Sequence, residues 1–292
     1  MQTWSKHGPP DALRREAAGL RWLAAAPDGV RVARVRDVRD GRLDLERLPQ
    51  AQATPGAAEA FGRALARTHA AGAPSWGAPP PGTTGDGTLG AASLPTPAAP
   101  PPTWGGFYAT YRVLPYLRSA VEHGTIDDAG ARVVESCAGR LAAGSLDHAQ
   151  PELVAALDVP VARLHGDLWS GNVLWSPRLT EARTSRRGAN PGTRTSTGGS
   201  DLGASGGSDG PEAVLIDPAA HGGHAETDLA MLALFGLPHL DTVLAAYDEA
   251  SALAPGWRHR VALHQLHPLL VHAALFGGGY GRQAVDAARA YA

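Results

Sequence analysis

The sequence predicts an α+β fold in two unequal parts, a short β-containing front over residues 1–48 and a large, mostly helical rear over 49–292. Three observations carry that reading. Val30 to Val38 alternates Val with Arg, breaks at Arg39-Asp40-Gly41 and resumes over Leu43 to Leu48, the pattern of a half-buried hairpin. From Ala57 onward most segments instead repeat apolar residues at three- and four-residue steps. Within that helical part, Val161 to Trp175 opens on β-forming residues, breaks into a polar loop carrying His165, Asp167 and Asn172, and resumes as Val-Leu-Trp, a returning strand.

Met1 to Gly8 reads as the end of a strand running into a turn. Asp11 is placed to N-cap a helix through Ala26, with Leu13, Ala17, Leu20 and Leu23 on one face, and Pro27-Asp28-Gly29 ends it. Ala57 to Ala71 is a helix closed by Gly72-Ala73-Pro74. Pro74 to Thr103 is dense in Pro and Gly and reads as irregular chain on a surface, neither strand nor helix. Helical periodicity returns over Phe107 to Ala120, Asp127 to Ala143 and Pro151 to Leu157. After the polar loop, residues 179–210 are rich in Thr, Ser, Gly and Asn and almost devoid of apolar side chains. They predict a disordered insertion at a hairpin tip. A second apolar run, Ala213 to Ile216, ends in Asp217, and helices follow over Glu226 to Leu234, Leu240 to Ala252, Arg258 to Phe276 and the last residues.

Composition narrows the function. A formal charge of −2 gives no reason to expect nucleic acid or an anionic membrane surface. The single cysteine, Cys137, excludes an intramolecular disulfide and a Cys-based zinc site, and reads as a small buried hydrophobe. No apolar run reaches the roughly 18 residues of a membrane span and Met1 opens no signal-like segment, so a cytoplasmic monomer is expected. His221, His224, His264, His267 and His272 invite a metal reading. However, His264 and His267 have no carboxylate at ligand spacing beside them, so core or surface histidines are expected.

The polar loop carries the chemistry. His165-x-Asp167 followed four residues later by Asn172 has the spacing of a kinase catalytic loop, in which the Asp is the base and the Asn a magnesium ligand. Phosphoryl transfer asks for a carboxylate at the acceptor hydroxyl and oxygen ligands for the metal on the phosphates, and Asp167, Asn172 and Asp217 supply those groups.

Leu164-His165-Gly166-Asp167-Leu168-Trp169-Ser170-Gly171-Asn172 resembles the signature of the fructosamine-3-kinase (ketosamine-3-kinase) family, relatives of aminoglycoside and choline kinases with a protein-kinase-like, two-lobe fold. Ile216-Asp217-Pro218-Ala219, Gly223 to Met231, Leu234-Phe235-Gly236 and Leu263 to Leu266 are similar to that family too. The resemblance implies a bacterial member, a phosphotransferase with an alcohol group as acceptor. Such enzymes use ATP and Mg2+ to phosphorylate a sugar hydroxyl of a small or protein-bound ribulosamine or fructosamine, and the unstable product releases the amine, so glycation is reversed. By the same resemblance Asp167 is the base and Asn172 and Asp217 bind magnesium. Asp228 holds the loop backbone, and Trp169 packs on the sugar. Lys6 stands where the ATP lysine stands, Glu16 where its partner does, and Glu46 and Leu48 in the hinge whose backbone meets adenine. Asp86 to Gly90 and Trp104 to Phe107 resemble a substrate-side segment. The departure is at the front: no segment for a phosphate-covering turn precedes Lys6, so the small lobe is expected to be truncated. That leaves open a catalytically weak or inactive pseudokinase, and a third reading is a kinase for another hydroxylated amine such as an aminoglycoside.

Overall fold

The computed structural model describes residues 3–178 and 210–292. All but the last residue of the expected 179–210 insertion lies outside the described residues. Strand β1 (Thr3–His7) leads through Gly8-Pro9 into helix α1 (Pro10–Ala24), which buries the Leu13, Ala17, Leu20 and Leu23 face. Asp11 is not its cap. Pro9 holds that position and Pro10 the first helical one, where a missing N–H costs nothing, while Asp11 pairs with Arg14 at 2.8 Å.

The strand expected over Val30 to Val38 is two strands in different sheets. β2 (Arg31–Val32) pairs parallel with β9 (Pro211–Leu215), whereas β3 (Val35–Arg39) pairs antiparallel with β4 (Arg42–Glu46), which also pairs with β1. Alternation specifies which face is buried but not which neighbour takes the hydrogen bonds, so the break at Ala33-Arg34 leaves no mark in the sequence.

Helix α2 (Pro55–Ala70) starts at Thr54, whose hydroxyl accepts from the Ala57 amide at 3.2 Å. A second correction falls in the Pro/Gly-rich stretch, which contains a two-stranded hairpin of β5 (Gly87–Leu89) and β6 (Ala92–Leu94). Tyr116 donates to the Ser93 carbonyl at 2.6 Å and Arg112 to that of Pro95 at 2.8 Å, so the hairpin is tied to the helices beneath it. The helical run below is broken into α3 (Trp104–Tyr108), a π turn over Ala109–Val113 and α4 (Leu114–Glu122), Pro115 opening the last. Helices α5 (Asp128–Ala142), capped by Asp127, and α6 (Glu152–Ala155) follow.

Strand β7 (Ala162–Leu164) precedes the polar loop and β8 (Val173–Pro177) follows it, but they are not partners. β8 pairs antiparallel with β9, and β7 with β10 (His221–Gly223), a strand that falls between Asp217 and the Glu226 helix where the sequence assigned no element. The loop is therefore a crossing between two small sheets rather than a hairpin tip. Helices α7 (Ala225–Phe235), α8 (Leu240–Ala250), α9 (Trp257–Phe276) and α10 (Tyr280–Arg289) complete the described chain, none of its helices being long and apolar enough to cross a membrane.

One apolar cluster joins Leu20 and Leu23 of α1 to Phe61 and Leu65 of α2, Trp175 of β8 and Leu215 of β9. A second gathers α3 to α5 with α9 and α10 and includes the buried Cys137, whose thiol burial pushes up to about 11. The polar loop lies where the small sheets meet these helices.

Candidate active site

Packing against helices sets the loop's shape before any of its side chains can act. Asp228, in the first turn of α7, is 1% exposed and accepts from the amides of His165 at 2.7 Å and Gly166 at 3.0 Å. Burial opposes its charge, but His69 at 3.2 Å, His165 and the loop amide outweigh burial and hold its carboxyl below the ordinary value. His69 is fixed by Tyr247, Nδ1 to hydroxyl, at 2.8 Å. The His165 ring then spans the site: Nδ1 accepts from the Asp167 amide at 3.3 Å, so Nε2 carries the proton and donates to the Ile216 carbonyl at 2.9 Å. This links the polar loop to the end of β9, one residue before Asp217.

Gly166 has φ +81°, and a Cβ there would stand 2.2 Å from the Ala219 carbonyl oxygen. Gly166→Ala is expected to cost roughly 2–5 kcal/mol, the left-handed penalty plus overpacking, measured by denaturant unfolding.

Asp167 and Asn172 meet directly. The Asn172 amide nitrogen donates to the Asp167 backbone carbonyl at 2.8 Å and to its Oδ2 at 3.0 Å, which leaves Asn172 Oδ1 as an acceptor facing no donor among the described residues. Burial pushes the Asp167 carboxyl above its ordinary 3.8, against the opposing pulls of His165 and Asn172. Asp217 adopts a left-handed backbone with φ +49°, a strained conformation of the kind concentrated at functional sites.

Lys6 of β1 donates to Glu16 of α1 at 2.7 Å and to Asp217 at 3.2 Å. Burial works against the ammonium, but the two carboxylates more than offset it and raise its proton affinity. Glu16, more deeply buried and repelled by Asp217, is pushed up to about 7. Two carboxylates thus share one ammonium, an arrangement that a further cation at Asp217 would relax.

Glu46 uses its carboxylate on Arg31 at 3.2 Å and on the Arg34 amide at 3.1 Å, so its part in a binding cavity falls to its main chain. Leu48 lines the same cavity as Glu46. Trp169 is 41% exposed, its ring edge-on to Phe235 at 6.3 Å.

Three cavities run in sequence past these residues. The first, about 490 Å³, is walled by Trp4, Ala33, Leu45, Leu48, Leu174 and Ile216 and reaches Asp217. The second, about 430 Å³, holds the charged and amide side chains of Lys6, Glu16, Asp217, Asn172 and Asp167. The third, about 480 Å³, is largely apolar and begins at Asp167 and Trp169. Asp217 is shared by the first two and Asp167 by the last two. The hairpin residues Leu89 and Gly90 line both the second and third, and Arg15 of α1 holds the chain just before β5 by bonding the carbonyls of Thr84 and Gly85. Sequence reading missed Trp4, Arg15 and the linking role of His165. Trp4, an aromatic 47% exposed two residues before Lys6, is the one the sequence placed in view.

The histidines give a correction. A carboxylate does reach His264: Glu226 Oε2 lies 3.4 Å from its Nε2, and His148 Nε2 is 3.0 Å from the same nitrogen. The set is internally satisfied, because Arg260 bonds both Glu226 oxygens, His148 Nδ1 donates to the Leu146 carbonyl and His264 Nδ1 meets Thr227. It ties α7, α9 and the chain before α6 together through residues 34 to 116 apart in sequence, beyond any spacing rule.

The family model described as fructosamine kinase matches residues 6–291. A protein assigned as a ketoamine kinase in Lactiplantibacillus plantarum is 31% identical over 281 residues, covering 96% of this chain and 81% of that one. One assigned likewise in Synechocystis is 36% identical over 124 residues, and there the match covers 42% of this chain and only 30% of the relative. Among solved structures, a Thermobifida fusca protein assigned as a fructosamine-3-kinase superposes with a TM-score of 0.75 at 41% identity, over 99% of this chain and 85% of that one. A gentamicin–APH(2″)-IIa complex shares the fold alone, with a TM-score of 0.50 at 13% identity.

Proposed function

The chain belongs to the fructosamine kinase family, and from that premise we propose that it transfers a phosphoryl group from ATP to a sugar hydroxyl of a ketosamine. The supporting observation is the order of the three cavities, one walled by Trp4, Leu45 and the chain from Glu46 to Leu48, one holding Lys6, Asp217 and Asn172, and a largely apolar one beginning at Asp167 and Trp169, joined at Asp217 and at Asp167. Phosphoryl transfer needs that succession of base, phosphates and acceptor, with a carboxylate at the last junction.

In this reading Trp4 and the main chain of Glu46 to Leu48 hold the adenine. Lys6, steadied by Glu16, binds phosphate oxygens. Asp167 accepts a hydrogen bond from the acceptor hydroxyl and takes its proton as the oxygen bonds to the γ-phosphorus of ATP and the bond from that phosphorus to the bridging oxygen breaks, ADP leaving with the bridging oxygen. Trp169 offers its face to the sugar. Asp217 and the uncommitted Oδ1 of Asn172 are hard oxygen donors suited to Mg2+, which when bound would neutralise charge on the phosphates. Reversal of glycation in the cytoplasm, by a monomer acting on small or protein-bound adducts, belongs to the same proposal. The formed Lys6–Glu16 pair favours an active kinase over a binding-only relative.

The test is ATP- and Mg2+-dependent phosphorylation of ribulosamine, fructosamine and kanamycin in parallel. Phosphate incorporation into a ketosamine is expected, and incorporation into kanamycin alone would overturn the proposal. Because Asp167 must be ionised to act and its carboxyl is raised, the acid limb of kcat/KM should fall off above pH 3.8, with activity lost as pH falls through that limb.

A further inference from the structure

The third cavity borders the reacting position on the side away from Lys6, and its chemistry is unlike that of the second. Asp167 is the one carboxylate among the described residues that line it. The rest of the wall is apolar or aromatic, with Phe235, Leu275, Phe276 and Tyr280 prominent. His272 sits among the rings, with centroids 5.0 Å from Phe235, 5.4 Å from Phe276 and 5.0 Å from Tyr280. Its Nδ1 donates to the Pro268 carbonyl at 2.7 Å, which holds the ring in place against α9.

Phe276 is 69% exposed and Trp169 41%, two of the five large apolar side chains most open to solvent among the described residues. Exposed aromatics at one cavity mark a surface that gains by being covered. An acceptor with several ammonium groups would have to desolvate them here against no carboxylate but Asp167, which is engaged with the reacting hydroxyl. An apolar group pays no such penalty.

In a ketosamine the nitrogen is on C1 and the family's reacting hydroxyl on C3, so whatever the nitrogen carries lies within a few bonds of Asp167. We propose that this cavity seats the nitrogen substituent of the acceptor and selects ketosamines of amines bearing an uncharged apolar or aromatic group, Phe276 and Phe235 setting the preference. The inference rests on the ketosamine kinase reading above. It adds the chemical class of the amine.

The test uses the full chain with ATP and Mg2+ and four ribulosamine adducts, those of methylamine, butylamine, phenethylamine and 1,4-diaminobutane. The phenethylamine adduct is expected to exceed the methylamine adduct in kcat/KM by about tenfold or more, and the diaminobutane adduct to fall below the butylamine one. Phe276→Ala, at an exposed position where folding is not at stake, should bring the phenethyl-to-methyl ratio toward one. Phe276→Glu should reverse the ranking of the butyl and diaminobutyl adducts. Phosphorylation of all four adducts within twofold of one another, or a ratio unmoved by Phe276→Ala, would overturn the proposal while leaving the kinase reading standing. Phosphorylation of none removes the premise, and this inference with it.

Discussion

Replacing Asp167 with Asn is expected to lower kcat by about 10²–10⁴-fold, the range for loss of a positioned proton acceptor, with an unchanged far-UV circular dichroism spectrum. Stability should move the other way. The Asp167 carboxyl is raised by burial, so the folded state holds its proton more tightly than the unfolded chain, and the wild type loses stability as pH rises through that window. Asn carries no such cost. Thermal unfolding at pH 7 should find Asp167→Asn at least as stable as the wild type, with the gap closing as pH falls toward 3.8 and below. A variant that lost activity and stability together would point to a structural part for Asp167 and sink its role as base.

Asp228→Ala should have the largest effect on stability. It strips the acceptor from the His165 and Gly166 amides and from His69, all buried, and a buried partner removed in this way costs about 3–5 kcal/mol. Against a total of roughly 5–15 kcal/mol that loss is severe. Asp228→Asn, which retains one carbonyl acceptor, should fall between, and denaturant midpoints for the pair would show it. The Asp228 carboxyl is held below its ordinary value, so its contribution is present above pH 3.8 and lost only as pH falls through the lower folded value. The deficit of Asp228→Ala should therefore be as large at pH 5 as at pH 7.

What was legible in the sequence was local. The buried face of α1 follows from residue spacing, and the polar loop announces itself by interrupting two β-forming runs. The Lys6–Glu16 contact, at 2.7 Å, came instead from the resemblance to the fructosamine kinase family, not from any local pattern. What escaped was partnership. Nothing in Val30 to Val38 says that its first half bonds to residues 214 and 215 and its second half to β4. β5 and β6 are three residues each, too short for alternation to register within Pro and Gly. Trp169 is visible as a flat side chain near the loop, but Phe235, His272 and Phe276 become its neighbours only because α7 and α9 converge there.

The pairing of β2 with β9 has a mechanical consequence. β1 carries Lys6, α1 carries Glu16, the chain continues into β2, β2 is bonded to β9, and two residues beyond β9 comes Asp217, which returns to Lys6. These links form a closed ring of stiff members with few free joints. In such a ring α1 is tied at both ends, to β1 before it and to β2 after it, so an outward swing would pull on the β2–β9 bonds and the Asp217 contact as well as on the Lys6–Glu16 pair. The helix and the small sheet are thus braced together, and displacing this helix, an economical means of control where a helix is held at one end only, would here strain the whole frame.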